Sequence, residues 1–456
     1  MSKLALLGAE PVRKTPFHSS VVVDEREWTY VKQVMENREF SRFMGSPVKD
    51  IEKLLVSPSI EVETMEGQYF TFLGGRMVRK FEADFARKFS VPYAMTVNSA
   101  TSGLSAALGA AGIGPGDEVI TTCLSFNATA LSILLFNSIP VFVDVDPENY
   151  CLDPSKIEKA ITPRTKAILV VHLLGNPADM DSIMTIARQH NLVVIEDAAQ
   201  APGTKYKGRY VGTIGDAGVF SFQETKNIMT GEGGMVVTSD PGIARKVRLI
   251  RNHGESIPDE TWDDESLVNV VGMNFRMTEM TAALGIAQVE KLDENNRPRV
   301  ENARFLCDKL KEIPGITVPL YNDGVVPHVL PLLYRQSDTG VERIKVLAAL
   351  RAEGIPVGSG YLRLMYENPI FLRKIGYGRE QCPWSCHLYD QKREYKQGDC
   401  PEAEKLLKER FVWFYHINRP NGIAEMEDVV RAFERVFSEM DTLRKYDAEK
   451  EIPYKW

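Results

Sequence analysis

Apolar residues between positions 94 and 238 fall into short continuous runs, and longer amphipathic stretches separate these runs. Continuous runs of Val, Ile and Leu are typical of strands covered on both faces, whereas strict alternation is typical of strands with one solvated face. The runs predict seven strands, at Ala94–Val97, Glu118–Thr122, Val141–Val143, Ala167–His172, Leu192–Glu196, Ala217–Phe222 and Gly234–Thr238.

Helical spacing of apolar residues fills most of the chain around these strands. It predicts helices at Glu25–Glu36, Met77–Phe89, Thr101–Ala111, Asn127–Asn137, Pro154–Ala160, Asp179–His190 and Thr278–Leu292. Regular alternation of strands with helices is typical of an α/β fold with a parallel, doubly wound sheet. We therefore expect a large, mostly parallel seven-stranded domain over residues 1–310, preceded by an N-terminal arm within that range.

The pattern changes after about Pro314. Strands are predicted at Ile316–Leu320 and His328–Tyr334, and helices at Val341–Glu353 and Glu425–Asp441. These elements predict a smaller C-terminal α+β domain over residues 311–456. Residues 41–70 do not fit either pattern, because two prolines and a polar run favour a long surface loop or an insertion.

Composition and charge exclude several classes of protein. The chain has 456 residues, 44% of them hydrophobic, and a formal net charge of -7, which argues against a general nucleic-acid binder. No apolar run approaches the roughly 20 residues that span a bilayer, and the first residues do not resemble a signal peptide. Six cysteines without regular spacing are typical of reduced thiols. We expect a cytoplasmic protein.

Two late features leave alternatives open. Five residues that could bind a metal lie in the last part of the sequence: Cys382, Cys386, His387, Cys400 and His416. Their spacing is wider than in common zinc sites, so we expect no metal there. The segment Tyr361–Tyr395 is rich in aromatic and basic residues. It is either a substrate lid or an arm that packs on the rest of the chain.

Polar residues follow several of the predicted strands, where ligands bind in a parallel sheet. The stretch Asn98–Gly103 is either a phosphate site at a helix N-terminus or an ordinary helix cap. Phe126 is either a stacking ring or a core residue. Asp197 either faces a cation or caps a helix, and His172 is best explained as a structural histidine.

The turn between the last two predicted strands contains Lys226 among three glycines. A lysine that is held at a strand end and partly removed from water can attack a carbonyl carbon as a nucleophile. The simpler alternative is that Lys226 is an ordinary solvent-exposed lysine of a loop. Phosphate site, stacking ring, carboxylate and lysine follow one another along the chain in the order of a pyridoxal phosphate (PLP) pocket. There Asp197 would keep the pyridine nitrogen protonated, and Lys226 would bind the cofactor as a Schiff base.

Six stretches resemble the DegT/StrS group of sugar aminotransferases: NSATSGL at 98–104, GPGDEVITTCLSFNATA at 114–130, HLLGNPADMD at 172–181, EDAAQAPGTKYKG at 196–208, FSFQETKNIMTGEGGM at 220–235 and NFRMTEMTAALG at 274–285. The resemblance covers roughly residues 80–300 well. It implies the PLP-dependent transferase fold (fold type I) and a homodimer with shared active sites.

The resemblance also implies roles for individual residues. Lys226 resembles the Schiff-base lysine, Asp197 the partner of the pyridine nitrogen, and Gln200 the neighbour of the ring hydroxyl. Further cofactor-binding residues implied are Phe126 against the ring and Ala100, Thr101 and Ser221 at the phosphate. Two residues would act nearer the subunit boundary or the donor: Asn274, which would reach the phosphate of the second subunit, and Arg276, which would meet the donor's carboxylate.

The activity implied is transfer of an amino group from L-glutamate or L-glutamine to a keto sugar, in amino-sugar or polysaccharide biosynthesis. Nucleotide-linked keto sugars are the commonest substrates of the group. Gln223 stands on the substrate-facing side where many members carry His, which makes a free keto sugar or keto cyclitol the alternative. A non-catalytic PLP-binding regulator on the same fold is an alternative of another class. Members that catalyse dehydration have His in place of the lysine, and Lys226 argues against that branch.

Overall fold

The computed structural model describes residues 4–43, 51–65, 72–254, 270–385, 387–390 and 392–446. Within these ranges the strands are β1 (Tyr93–Val97), β2 (Glu118–Thr122), β3 (Ile139–Val143), β4 (Thr165–Val171), β5 (Val193–Asp197), β6 (Lys205–Tyr206), β7 (Arg209–Tyr210), β8 (Ala217–Ser221), β9 (Gly234–Thr238), β10 (Ile316–Thr317), β11 (Leu330–Tyr334), β12 (Val357–Gly358) and β13 (Phe411–Phe414).

The helices of the first part of the chain are α1 (Glu25–Asn37), α2 (Ile51–Leu55), α3 (Ser59–Thr64), α4 (Arg76–Phe89), α5 (Ala100–Ala110), α6 (Ala128–Leu134), α7 (Pro154–Ile157), α8 (Met180–His190) and α9 (Pro241–Ile250). Those that follow are α10 (Glu279–Glu290), α11 (Leu292–Leu310), α12 (Gln336–Thr339), α13 (Arg343–Ala352), α14 (Pro369–Leu372), α15 (Pro401–Lys405), α16 (Ile423–Ser438) and α17 (Met440–Arg444). Short 3₁₀ turns lie at Ala5–Leu7, Glu158–Ala160, Leu173–Gly175 and Met365–Glu367, and a π turn at Leu406–Arg410.

The large sheet has seven strands in the order β1-β9-β8-β5-β4-β2-β3. Strand β9 runs antiparallel to both of its neighbours, and the other pairs in the sheet are parallel. Nearly every residue of these strands is buried, because helices cover both faces. The predicted α/β class and the mostly parallel seven-stranded sheet are confirmed.

Residues 51–65 form two short helices, so the expectation of a long surface loop is wrong for this part of 41–70. Leu55 and Val62 are fully buried in a small cluster with Leu249. The guanidinium of Arg248 donates to the backbone carbonyls of Leu54, Leu55 and Ser57. Pro58 does not break the structure, since it stands at the N-cap of α3, where its missing N–H costs nothing. Residues 44–50 and 66–70 lie outside the described residues.

Helix α11 is the largest element that the pattern did not predict. It has 19 residues with Pro298 inside, and its buried face includes polar side chains. These side chains bond to backbone carbonyls: Asn296 donates to Pro202 O and Asn302 donates to Ile417 O and Asn421 O. Because the buried face is polar, apolar spacing alone could not reveal the helix.

The smaller sheet is antiparallel, in the order β10-β11-β13-β12. Its core includes residues of α13 and α16, and also Leu306 and Leu310 of α11. A different core cluster joins Leu364, Phe371 and Trp384 to strands β2 to β4 of the large sheet. Both cores therefore cross residue 310, and the division of the chain at that residue stays a prediction.

The aromatic segment that begins at Tyr361 mostly packs against the large sheet. Tyr389 donates to Glu118 Oε1 and Tyr395 donates to Pro140 O, both at 2.7 Å. Glu118 begins β2 and Pro140 is the second residue of β3, so these contacts lie at the amino ends of the strands. The packing-arm interpretation is therefore favoured over a lid for Tyr389 and Tyr395, which lie at the opposite end of the sheet from the predicted site.

Candidate active site

The N-terminus of α5 lies at the carboxyl end of β1, close to the backbone of β9. A Cβ added at Gly234 would lie 2.8 Å from the backbone nitrogen of Ala100, so only glycine permits this approach. Ser99 is the N-cap and accepts a hydrogen bond from the Ser102 backbone N–H at 3.2 Å. The cap leaves the backbone N–H groups of Ala100 and Thr101 in the first turn, where a helix binds anions.

The turn between β8 and β9 holds Lys226 in a closed set of backbone hydrogen bonds. Phe222 N donates to Gly233 O at 2.9 Å, Thr230 N to Phe222 O at 2.8 Å, and Lys226 N to Gln223 O at 2.8 Å. Burial lowers the pKa of Lys226 from 10.5 to about 8, against the opposing effect of the Asp197 charge. At pH 7 about one amine in ten is then in the neutral, nucleophilic form, far more than for a lysine with the ordinary pKa.

Asp197 is the last residue of β5 and is buried. The hydroxyl of Thr129 donates to its Oδ2 at 2.9 Å, and the Ala199 N–H donates to its Oδ1 at 3.2 Å. Burial raises the pKa of Asp197, whereas these two hydrogen bonds and the charge of Lys226 lower it. The alternative of a helix cap does not apply, because the bond to Ala199 closes a turn and no α-helix begins there.

Phe126 is 64% exposed, which is unusual for a phenylalanine in a loop that follows a buried strand. The core-residue alternative is therefore excluded, and one ring face is free to stack on a ligand. Ser221 ends β8 and is buried, and its hydroxyl oxygen accepts from Gln223 N at 3.3 Å. The Gln223 side-chain oxygen accepts from both the backbone and the hydroxyl of Thr225, so it stabilises the turn.

Gln200 lies in the turn after β5 and has a fixed amide. Its Oε1 accepts from Leu174 N at 2.8 Å, and its Nε2 donates to the hydroxyl of Tyr361 at 2.8 Å. Neither Thr129 nor Tyr361 was singled out from the sequence. Thr129 carried a weak signal, because it is a polar residue in the segment that follows a predicted strand; its hydroxyl lies 3.0 Å from that of Ser125. Tyr361 carried none, since it is 161 residues from its partner.

The loop that contains Asn274 and Arg276 lies beside the start of α5. Asn98 N donates to Phe275 O at 2.8 Å, and Arg276 Nε donates to the Asn252 side chain at 2.6 Å. The side chain of Asn274 is exposed. The loop thus lies next to the predicted phosphate site of its own chain, and a contact of Asn274 with a second subunit stays a prediction.

His172 and Glu196 form a fully buried pair, with 2.9 Å between Nε2 and Oε2. The backbone N–H of Ala178 donates to His172 Nδ1 at 3.1 Å, so the ring proton is on Nε2 and points to the carboxylate. Glu196 also accepts from the backbone N–H groups of Gly212, Ile214 and Gly215, so the pair connects β5 to that loop. A structural role for His172 is consistent with this geometry.

The metal-capable residues weighed in the sequence do not come together. His416 stacks on Phe17, and Cys400 instead lies with Cys123 and Asp144 in one buried group. The carboxylate of Asp144 already accepts from the backbone N–H groups of Val145, Glu402 and Ala403 and from Lys156. We therefore assign this group to packing. Cys386 lies outside the described residues.

The chain is similar to known proteins both in sequence and in fold. The family model described as the DegT/DnrJ/EryC1/StrS aminotransferase family matches residues 60–392. The chain is 35% identical over 392 residues to the L-glutamine:2-deoxy-scyllo-inosose aminotransferase of Micromonospora echinospora, covering 80% of this chain and 87% of that protein. It is 48% identical over 239 residues to the GDP-perosamine synthase of Caulobacter vibrioides, covering 52% of this chain and 63% of that protein.

A solved structure shares the fold over nearly the whole length. The aminotransferase from Psychrobacter cryohalolentis superposes with a TM-score of 0.77 at 29% sequence identity, covering 93% of this chain and 100% of that one. Within the described ranges, no helix combines the length and the apolar character needed to cross a bilayer.

Proposed function

This chain belongs to the DegT/DnrJ/EryC1/StrS aminotransferase family, and we propose that it transfers the amino group of L-glutamate or L-glutamine to the carbonyl carbon of a keto sugar. One observation carries the proposal: a lysine amine of lowered pKa faces the charge of a buried carboxylate at the carboxyl edge of the sheet. This pair suits nucleophilic attack and proton transfer, and a binding module has no need of it.

The residues present fit pyridoxal phosphate. The first turn of α5 and the Ser221 hydroxyl would bind its phosphate, the exposed face of Phe126 would cover its ring, and Gln200 would lie at the ring hydroxyl. When bound, this cofactor supplies an aldehyde carbon and a ring that accepts electrons from the carbon next to the amino group. Asp197 would hold the proton on the ring nitrogen, and Lys226 would anchor the cofactor covalently and carry a proton between carbon atoms.

The unfilled acceptor capacity of Asp197 supports this assignment. A carboxylate offers about four lone-pair positions, and among the described residues only Thr129 and Ala199 donate to Asp197. A protonated ring nitrogen would supply both a donor and a compensating charge, which removes the cost of the buried acid. Because the carboxylate is 5% exposed, water satisfies little of this capacity.

We propose a homodimer in which Asn274 and Arg276 act at the partner's site. The exposed Asn274 side chain and the fixed Arg276 guanidinium support this proposal. Lys226→Ala and Arg276→Ala would each be inactive alone, and a mixture would recover activity in the heterodimers that carry one intact site. A mixture that exchanges subunits, as native mass spectrometry shows, and stays inactive would contradict shared sites.

The acceptor has two candidates with different support. A nucleotide-linked keto sugar is supported by the high identity to the GDP-perosamine synthase, although that match covers about half of the chain. A free keto cyclitol is supported by the longer match to the scyllo-inosose aminotransferase and by Gln223 in the turn before Lys226. The same Lys226 and Asp197 would serve either acceptor, because the chemistry at the carbonyl is identical.

The first experiment asks whether the chain is catalytic. Wild-type protein loaded with pyridoxal phosphate and mixed with L-glutamate or L-glutamine would lose its visible absorbance, because the amino group moves to the cofactor. Lys226→Ala would not complete this change at a measurable rate, and Lys205→Ala, a change of a distant lysine, would behave as the wild type. An unchanged wild-type spectrum with both donors would favour a non-catalytic regulator.

The second experiment identifies the acceptor. The aminated form of the cofactor, prepared with the donor and freed of it, is mixed with nucleotide-linked keto sugars and with free keto cyclitols. Return of the visible absorbance with one class and not the other assigns the acceptor. Return with neither class would contradict the proposed substrates while leaving the donor half of the reaction in place.

A further inference from the structure

Tyr361 links the smaller sheet to the candidate active site. It follows β12, and its ring packs edge-on against Trp413 of β13 with 5.1 Å between ring centroids. Its hydroxyl nevertheless lies 2.8 Å from Gln200 Nε2 in the turn after β5. The charge of Asp197 and the backbone of Phe126 also act on this hydroxyl. A residue that follows the smaller sheet's strand β12 therefore reaches Gln200 in the candidate active site.

The orientation of the Gln200 amide follows from its partners. Leu174 N is a donor, so the atom it contacts at 2.8 Å must be the amide oxygen. The amide nitrogen then faces Tyr361 and must donate to the tyrosine oxygen. The second N–H of Gln200 remains for another acceptor.

The Tyr361 oxygen accepts this hydrogen bond, so its own proton has to be donated elsewhere. A phenol has one proton and two acceptor positions. Among the residues that the structure describes, none accepts a hydrogen bond from the Tyr361 hydroxyl. Burial raises the pKa of Tyr361, so the phenol keeps its proton at neutral pH. A partly buried O–H beside Gln200, with no acceptor among the described residues, leaves a donor for a ligand oxygen.

We propose that Tyr361 is a positioning residue whose phenolic proton is donated to the ring oxygen of the bound cofactor, next to the second N–H of Gln200. This inference rests on the proposed function, since it requires pyridoxal phosphate in the pocket. Two donors on one oxygen favour its negatively charged form and make the cofactor–lysine linkage less basic. They also tie the smaller sheet to the cofactor, because Tyr361 comes from that sheet.

The test is a pH titration of the visible absorbance of the PLP-loaded enzyme, which reports protonation of the cofactor–lysine linkage. Tyr361→Phe would move the midpoint up by about one to two pH units, as expected for loss of one hydrogen bond to a charged oxygen. Cofactor affinity would fall about tenfold, measured by equilibrium dialysis. Tyr366→Phe is the matched control, because Tyr366 is a buried tyrosine of the same segment that donates to Glu404 instead.

Three outcomes separate the possibilities. An upward shift in Tyr361→Phe with an unshifted Tyr366→Phe supports the proposal. Wild-type loading with an unshifted midpoint in Tyr361→Phe overturns it and leaves the proposed function intact, since Tyr361 would then only support Gln200. A wild-type protein that takes up no pyridoxal phosphate overturns both.

Discussion

Glu196 and Asp197 are adjacent carboxylates at the end of β5, both buried, with opposite surroundings. Successive side chains of a strand point to opposite faces, so the two acids enter different regions. Glu196 accepts from the His172 ring and from the backbone N–H groups of three residues in one loop, Gly212, Ile214 and Gly215. Within the part of the chain that the structure describes, Asp197 accepts from Thr129 and from Ala199 alone.

The number of hydrogen-bond donors distinguishes Glu196, which stabilises the fold, from Asp197, which has free capacity to bind a ligand. Four donors fill the acceptor positions of Glu196, so this carboxylate orders the loop at 212–215. Asp197 has fewer donors, and burial raises its pKa. A buried carboxylate with few donors lowers the stability of the fold unless a bound cation compensates its charge. Such destabilised ionisable groups are common in functional sites and uncommon among structural residues.

The largest expected effect follows from removing the charge of Asp197. Asp197→Asn keeps the shape of the side chain, but an amide does not hold a proton on the ring nitrogen. We expect the kcat/KM for amino transfer to fall by about 10²–10³-fold. The midpoint of thermal unfolding should stay the same or rise, because a costly buried charge is gone. Steady-state kinetics and calorimetry would check both; a variant with wild-type kcat/KM would contradict the assignment.

Glu196→Gln should show the reverse pattern. The amide nitrogen would face a backbone N–H, so at least one of the donors at Gly212, Ile214 and Gly215 loses its acceptor. The free energy of unfolding should fall by about 2–4 kcal/mol. Activity per cofactor-loaded site should stay within about twofold, since the side chain does not reach the pocket. Denaturant titration with active-site counting would measure this, and an unfolding free energy equal to wild type would argue that the four bonds are unimportant.

Thr129→Val should have a smaller effect, because it removes one of the two donors to Asp197 without changing side-chain volume. A hydrogen bond to a charged group is worth about 1.5–3 kcal/mol, so the cofactor dissociation constant should rise by about tenfold or more. Thr129→Ser is the matched control, since it keeps the hydroxyl. A cofactor affinity of Thr129→Val equal to that of Thr129→Ser and of the wild type would show that the hydroxyl is unimportant.

Much of this comparison could be predicted from the sequence. The positions of Asp197 and Lys226 follow from local signals, because apolar runs locate strand ends and glycines locate the turn. The exposure of Phe126 could not be decided, since an isolated aromatic residue suits a core and a binding face equally well. The role of Glu196 was also hidden, because its partners come from a loop 16 to 19 residues further along the chain.

Other features depend on contacts that no local pattern contains. Helix α11 buries asparagines that bond to carbonyls of remote segments, so its apolar spacing is too weak to predict a helix. Residues 51–65 contain turn-forming residues, yet carbonyls at 54–57 bind the guanidinium of Arg248 and order the segment. Tyr361 reaches Gln200 only because the smaller sheet docks beside the site. In each case the local structure is stabilised by a polar contact between residues more than a hundred positions apart in the sequence.

The smallest expected effect concerns the pH at which Lys226 becomes reactive. Only the neutral amine attacks the cofactor aldehyde, and burial lowers the pKa of Lys226 to about 8. The rate at which cofactor-free enzyme takes up pyridoxal phosphate should therefore rise with pH, reach half of its maximum at about pH 8 and level off at higher pH. Asp197 is the charge that opposes this lowering, so Asp197→Asn should move the midpoint to lower pH, whereas Glu196→Gln should leave it at about 8. Stopped-flow absorbance would give these midpoints, and equal shifts in both variants would mean that the two acids act on the lysine alike.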